Sequence, residues 1–138
     1  MTTDQLVSGF IDLSLPKSEW THQAHLRVGL WHAMRHPRAE TLDLLRDRIS
    51  TFNQAKGVEN TASAGYHETI TRFYVHMICL FLASADARRP IDELEQELID
   101  RYGDKELPLR YYTREKLFST EARFGWVAPD LLALPSGG

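Results

Sequence analysis

Apolar side chains recur at intervals of three and four residues along most of this chain, which is the spacing of one face of an α-helix. Asp4 to Leu13 places Leu6, Phe10 and Leu13 on such a face, with Thr3 as the candidate N-cap. Pro16 to Arg35 reads as one long helix, with Ser14 as its candidate cap and His36-Pro37 as its stop. Arg38 to Lys56 carries Leu42, Leu45, Ile49 and Phe52 on one side, and Gly57 ends it.

The stretch from Gly57 to Gly65 is rich in small and capping residues and is the one substantial loop inside the chain. Tyr66 to Ala85 is the most apolar segment. Pro90 then opens an amphipathic helix to Tyr102, with Ile91, Leu94, Leu98 and Tyr102 as its stripe and Gly103 as its stop. After Leu107-Pro108 a last helical stretch is expected to about Phe124, followed by an irregular packed tail from Gly125 to Asp130.

No strand-like alternation competes with these patterns. The expected architecture is all-α, an antiparallel bundle of five or six helices with the second and fourth most deeply buried. A single domain over residues 1–138 is expected, with flexible ends at about 1–3 and 133–138.

Composition narrows the function classes. Hydrophobic residues make up 43% and charged residues 25%, as in ordinary globular proteins. Sixteen basic residues face nineteen acidic ones, a net charge of -3, so no broad cationic surface is expected for nucleic acid. One cysteine, Cys79, excludes an internal disulfide and fits a reducing compartment. The N-terminus lacks a signal-peptide pattern, and the longest apolar run, Val75 to Ala83, is well short of the about 20 residues a membrane span needs. A cytoplasmic protein without membrane partners is the expectation.

Candidate chemistry gathers in two places. His22, His25, His32 and His36 fall within an arc of roughly 80° on the second helix, and Gly29 continues their line. Buried imidazoles need partners for both ring nitrogens, so a line of them calls for acceptors or a metal ion. His36 suits a helix-end role and His32 stands evenly between structure and site. His22 and His25, spaced i, i+3 near a helix start, can direct two imidazoles at one ion. Gly29 implies a close approach, either by another helix or at a pocket wall.

The second place is Asn60 to Arg72, where several polar residues enter the most apolar helix. His67, Thr71 and Tyr74 share one face, and Glu68 with Arg72 forms an i, i+4 pair. Read structurally, a hydroxyl here caps the helix and Glu68 complements its dipole. Read functionally, His67 and Glu68 are the acid-base pair, with Asn60, Thr61, Tyr66 and Arg72 binding substrate. His76 lies on the opposite side and is set aside as a satisfied core histidine. His-Glu-x-x-His is not completed because position 71 is Thr71, and no phosphate-cradling glycine loop is present, so no nucleotide cofactor is expected.

Trp20-Thr21-His22-Gln23-Ala24-His25-Leu26, Tyr66-His67-Glu68-Thr69-Ile70-Thr71-Arg72-Phe73-Tyr74 and Phe118-Ser119 with Glu121-Ala122-Arg123 and Gly125-Trp126 resemble the signature of a family of small uncharacterised bacterial helical proteins. That resemblance covers most of the chain and brings no established reaction. A looser similarity is to the DinB-like helical bundles, which place three histidines from different helices around one divalent ion, although their spacing is not reproduced here.

Three readings follow. The first is a metal-dependent enzyme acting on a small-molecule substrate, with His22, His25 and His67 holding Zn²⁺, Fe²⁺ or Ni²⁺ and Glu68 as a further ligand or base. The second is a metal-free His/Glu acid-base enzyme or small-molecule binder. The third is a helical interaction module with a polar core. An apolar face left open on the Pro90 to Tyr102 helix would support a homodimer.

Overall fold

Side-chain oxygens decide where the helices of this chain begin. In the computed structural model, which describes residues 1–136, the Thr2 hydroxyl accepts from Gln5 N and the Gln5 side chain returns to Thr2 N, opening α1 (Thr3–Ile11). Thr2 is the cap in place of the expected Thr3, which turns inward instead and hydrogen-bonds the buried Glu95.

Pro16 does not start a long helix. A single 3₁₀ turn, Lys17–Glu19, is followed by Trp20, whose ring stacks on Phe10 at 4.5 Å. Thr21 then caps α2 (His22–Arg35) by accepting from Ala24 N. His36 ends α2 and Pro37 starts α3 (Arg38–Ala55), which closes ahead of Gly57 at φ +78. α4 (Glu68–Ser84) is capped by His67, and α5 (Ile91–Tyr102) follows Pro90.

The expected C-terminal helix is broken into a 3₁₀ turn (Leu107–Arg110), α6 (Arg114–Leu117) and α7 (Thr120–Phe124). Thr113 and Ser119 each take an N–H that a continuous helix would bond to a carbonyl, so each restarts the backbone. The described residues thus form seven helices and no strand, five of the helices being longer than two turns. None is long and apolar enough to cross a membrane.

Three packed clusters hold these helices together. Leu6 and Phe10 of α1 meet Val28, Leu45, Phe52 and Val75 from α2, α3 and α4. Leu26 and Leu30 meet Ile78, Phe81, Leu94 and Leu98, so the apolar stripe of α5 is covered within the chain. Phe73 and Met77 receive Leu107, Tyr112 and Leu117 from the C-terminal segment. α4 touches α2, α3, α5 and α7 and is the centre of the bundle.

The ends are more tied down than expected. Met1 O accepts from Arg27, whose Nε also pairs with Glu95 at 2.8 Å, joining α1, α2 and α5 through an ion pair. At the other end Tyr112 OH donates to Val127 O, Asp130 accepts from Thr113, and Pro135 O lies 2.6 Å from His76 Nε2. Residues 137 and 138, part of the expected flexible end, lie outside the described residues.

The Gly57 to Gly65 loop is shaped by one side chain. Asn60 Oδ1 accepts from Tyr66 N and from Asn53, and Asn60 Nδ2 donates to Ser50 O. Gly65 sits at φ +84, and a Cβ there would lie 2.5 Å from Glu59 O and 2.8 Å from Asn60 Cα. Gly65→Ala is therefore expected to lower stability by roughly 1–3 kcal/mol from backbone strain alone, read as a fall in the urea midpoint. An unchanged midpoint would show that the loop has no such constraint.

Candidate functional site

Where the first and second core clusters meet, α2, α3 and α4 leave a cavity of about 360 Å³. Its walls are mostly aliphatic: Leu26, Val28, Leu45, Ile49, Ile70, Val75 and Ile78. Gly29 is part of the wall, and a Cβ there would come within 2.8 Å of Ile78 Cδ1. Gly29 thus serves both the close approach of α2 to α4 and the cavity. The polar groups on the wall are His22, His25, Thr71, Tyr74 and, at an exposed edge, Lys105.

His25 is fixed by the helix start. Its Nδ1 lies 2.7 Å from Thr21 O, and because a carbonyl only accepts, the proton sits on Nδ1 and Nε2 is a bare lone pair. Trp20 packs over the ring at 3.8 Å between centroids. Protein atoms crowd the ring, but His25 is an exposed residue of the cavity wall, and contact with water offsets part of its desolvation. Burial pushes its pKa down to about 4, against the Thr21 carbonyl, which favours the charged form, and with the neighbouring His22 adding to the fall. It is neutral at pH 7.

His22 begins α2 and meets Tyr74 edge-on, with ring centroids 5.3 Å apart. Its Nε2 and the Tyr74 hydroxyl are both buried without a hydrogen-bond partner. Burial lowers the His22 pKa, partly offset by the Tyr102 carbonyl, and burial raises that of Tyr74. Three residues of the cavity wall thus carry a polar atom that the protein leaves unpartnered: His22 Nε2 and Tyr74 OH, both buried, and His25 Nε2.

His67 and Glu68 are not in this cavity. His67 Nδ1 accepts from Ile70 N as the cap of α4, and Nε2 donates to Leu117 O at 2.7 Å, so both ring nitrogens are engaged. Glu68 is 6% exposed and forms a two-pronged ion pair with Arg46 of α3, at 2.8 and 2.7 Å, while Tyr66 OH donates to Oε1 at 2.8 Å. The Arg46 guanidinium holds this carboxyl below its ordinary range, outweighing burial, with Tyr66 and Arg72 adding to the effect. Arg46 also carries Asp43 at 2.9 Å.

The expected Glu68–Arg72 pair does not form, since Arg72 lies over the Trp126 ring at 5.1 Å. Glu68, Arg72 and Tyr66 instead border a second cavity of about 410 Å³ with Arg46, Arg123 and Trp126. Of the other expected substrate contacts, Asn60 is committed to the loop, and Thr61 closes a turn through Ala64 O and Ser63 N.

A three-histidine metal site therefore does not fit these residues. His22 and His25 share a cavity, but His67 points to α6 with no free nitrogen. Among the described residues no three His, Cys, Asp or Glu side chains gather where they could hold a metal ion.

The remaining histidines are structural. His32 is fully buried, its Nδ1 2.7 Å from Val28 O and its Nε2 accepting from Arg48 at 2.7 Å. His36 faces Glu40 at 3.0 Å. His76 is satisfied by Arg38 and Pro135 but is only half-buried, on the surface side of α4.

Sequence reasoning placed Tyr74 on one face with His67 and Thr71 without giving it a role of its own, and it missed the roles of Arg46, Arg123 and Glu95. Tyr74 was legible as a large polar-tipped residue four positions beyond Ile70 on an otherwise apolar helix. The other three depend on long-range contacts.

Compared with protein-family models, with curated proteins and with solved structures, the chain matches none. The site must be read from its own geometry.

Proposed function

We propose that this protein binds a small, largely apolar, uncharged molecule in the cavity between α2, α3 and α4, through an O–H or N–H group of the ligand aimed at His22 and His25. The observation that carries this reading is that His22, His25 and Tyr74 line one aliphatic cavity, while His22 Nε2 and Tyr74 OH are buried without a protein partner and the exposed His25 keeps an unpartnered Nε2. Leaving a buried polar group unpaired costs about 1–3 kcal/mol, so such groups are normally satisfied. A ligand hydroxyl satisfies them jointly, donating to an imidazole lone pair while accepting from Tyr74.

The volume lies at the small end of the about 300–1,000 Å³ typical of ligand pockets, and apolar walls with a few convergent polar groups are their usual composition. Binding is favoured over acid-base turnover. Both imidazoles are held below the ordinary histidine range and so are neutral hydrogen-bond acceptors at pH 7, and no carboxylate lines the cavity to orient either one as a base.

Phenol and toluene, of similar shape, test this by calorimetric titration. Phenol is expected to bind about tenfold more tightly, the equivalent of one net hydrogen bond. In His25→Leu the phenol preference should shrink, because only His22 and Tyr74 remain to meet the hydroxyl, with toluene affinity retained. Failure of both probes to bind, or a phenol preference unchanged in His25→Leu, refutes the reading.

A further inference from the structure

The second cavity lies one residue further round the same helices. Arg46 and Ser50 of α3 follow Leu45 and Ile49, and Arg72 of α4 follows Thr71, with α7 and the tail closing the other side. Its charges are unevenly committed. Arg46 and Glu68 neutralise each other. Arg123 gives Nη1 to the carbonyls of Gly65 and Tyr66, at 3.1 and 3.3 Å, but its Nε is buried without a partner.

Arg72 is half-buried and makes no hydrogen bond or ion pair with any described residue; its one close partner is the Trp126 ring beneath it. Arg72 and Arg123 line one space, Arg72 with an unpaired guanidinium and Arg123 with an unpaired Nε buried in the wall, while the one carboxylate there, Glu68, is held by Arg46. The rim is aromatic. Trp126 is 38% exposed and Phe124 64% exposed, both beside these arginines. Large exposed aromatics next to unpaired guanidiniums offer a flat ligand stacking area together with a planar two-pronged partner for its oxyanion.

From this juxtaposition we propose that Arg72 and Arg123 form a second ligand site, which takes an aromatic carboxylate: the carboxylate between the two guanidiniums and the ring against Trp126 and Phe124. A carboxylate accepts two parallel N–H bonds from an arginine fork, and its attached ring explains why aromatics border the charge. The site is separate from the His22–His25 cavity, whose histidines are neutral at pH 7.

Benzoate, inorganic phosphate and benzyl alcohol are the probes, titrated calorimetrically into the full chain up to about 10 mM, above the millimolar affinities of weak specific binding. Of the two anions only benzoate is expected to bind, raising the salt concentration should weaken it, and any binding of benzyl alcohol, which belongs to the His22–His25 cavity, should not depend on Arg72. Arg72→Gln is expected to weaken benzoate at least about tenfold, the size of one charge-assisted hydrogen bond. Because Arg72 holds no other residue by a hydrogen bond, the variant should stay folded, its melting temperature falling only by what loss of the cation–π contact with Trp126 costs. His25→Leu should leave benzoate binding unchanged, which separates this site from the phenol cavity.

In the wild type, benzoate should also shift the Arg123 Nε–H resonance, a readout that needs no variant. Absence of benzoate binding, benzoate affinity that survives Arg72→Gln, or equal binding of phosphate overturns the proposal.

Discussion

Lowering the pH from 7.5 to 4.5 is expected to remove a large part of this protein's stability, beginning well above the range in which carboxylates titrate. His32 is the main cause. In the unfolded chain an imidazole takes up its proton near pH 6.5, whereas in the fold His32 does so only near 4. Burial is the largest reason, and Arg48, His36 and Arg35 add to it, while the Val28 carbonyl works in the other direction.

Between those two values the unfolded chain binds more protons than the native one, so stability rises with pH in that window. The contribution is complete above pH 6.5, falls as pH drops toward 4, and falls no further below it. For His32, which is 0% exposed, the shift corresponds to roughly 3 kcal/mol, against totals of about 5–15 kcal/mol for natural domains. His22, His25 and His67 shift in the same direction. His25 adds less than its shift alone implies, because its ring keeps accessible surface.

Glu68 acts in a lower window. Its pKa is depressed, so its contribution is present above its ordinary value of 4.5 and is lost only below that. Urea midpoints at pH 7.5, 5.5 and 4.5 measure the effect, and His32→Phe should flatten the slope between 6.5 and 4. A wild-type midpoint that does not move over this range, or a variant that keeps the full slope, would show that His32 accepts its proton in the folded state.

The helices themselves were legible because burial imposes a period on apolar residues, and α3 and α5 begin and end within a residue or two of that pattern. Their starts were less legible where two oxygens compete. Thr2 and Thr3 are equally plausible caps in sequence, and Glu95, 92 positions away from Thr3, decides between them. Ser14 and Thr21 compete in the same way, and the stacking of Trp20 on Phe10 favours the later start.

The i, i+3 pairing of His22 and His25 needed only helix geometry and could be read directly. The partners of Glu68 could not. A local rule nominates Arg72, one turn away, but the fold brings Arg46 from 22 positions back, and a two-pronged pair to a buried carboxylate outweighs an exposed i, i+4 contact. His67 misled for a related reason. Caps are sought among Ser, Thr, Asn and Asp, and an imidazole lone pair can do the same work.

That double use of His67 leads to the second large effect. His67→Ala is expected to destabilise the fold by about 2–4 kcal/mol. Loss of the cap to Ile70 N contributes about 0.5–2 kcal/mol, and leaving Leu117 O without its donor contributes about 1–3 kcal/mol. The loss should be felt at both ends of one strut, since His67 fastens the first turn of α4 to the end of α6.

His67→Asn separates the two parts. Asparagine is a good N-cap, so it should recover about 1 kcal/mol, but it is too short to reach the Leu117 carbonyl. Denaturant unfolding of the three proteins measures this, and phenol titration of the folded variants gives a readout on function. A His67→Ala protein within about 0.5 kcal/mol of wild type would remove the structural assignment. A stable His67→Ala protein that had lost phenol binding would return His67 to the ligand site, against a geometry in which both of its ring nitrogens are already held.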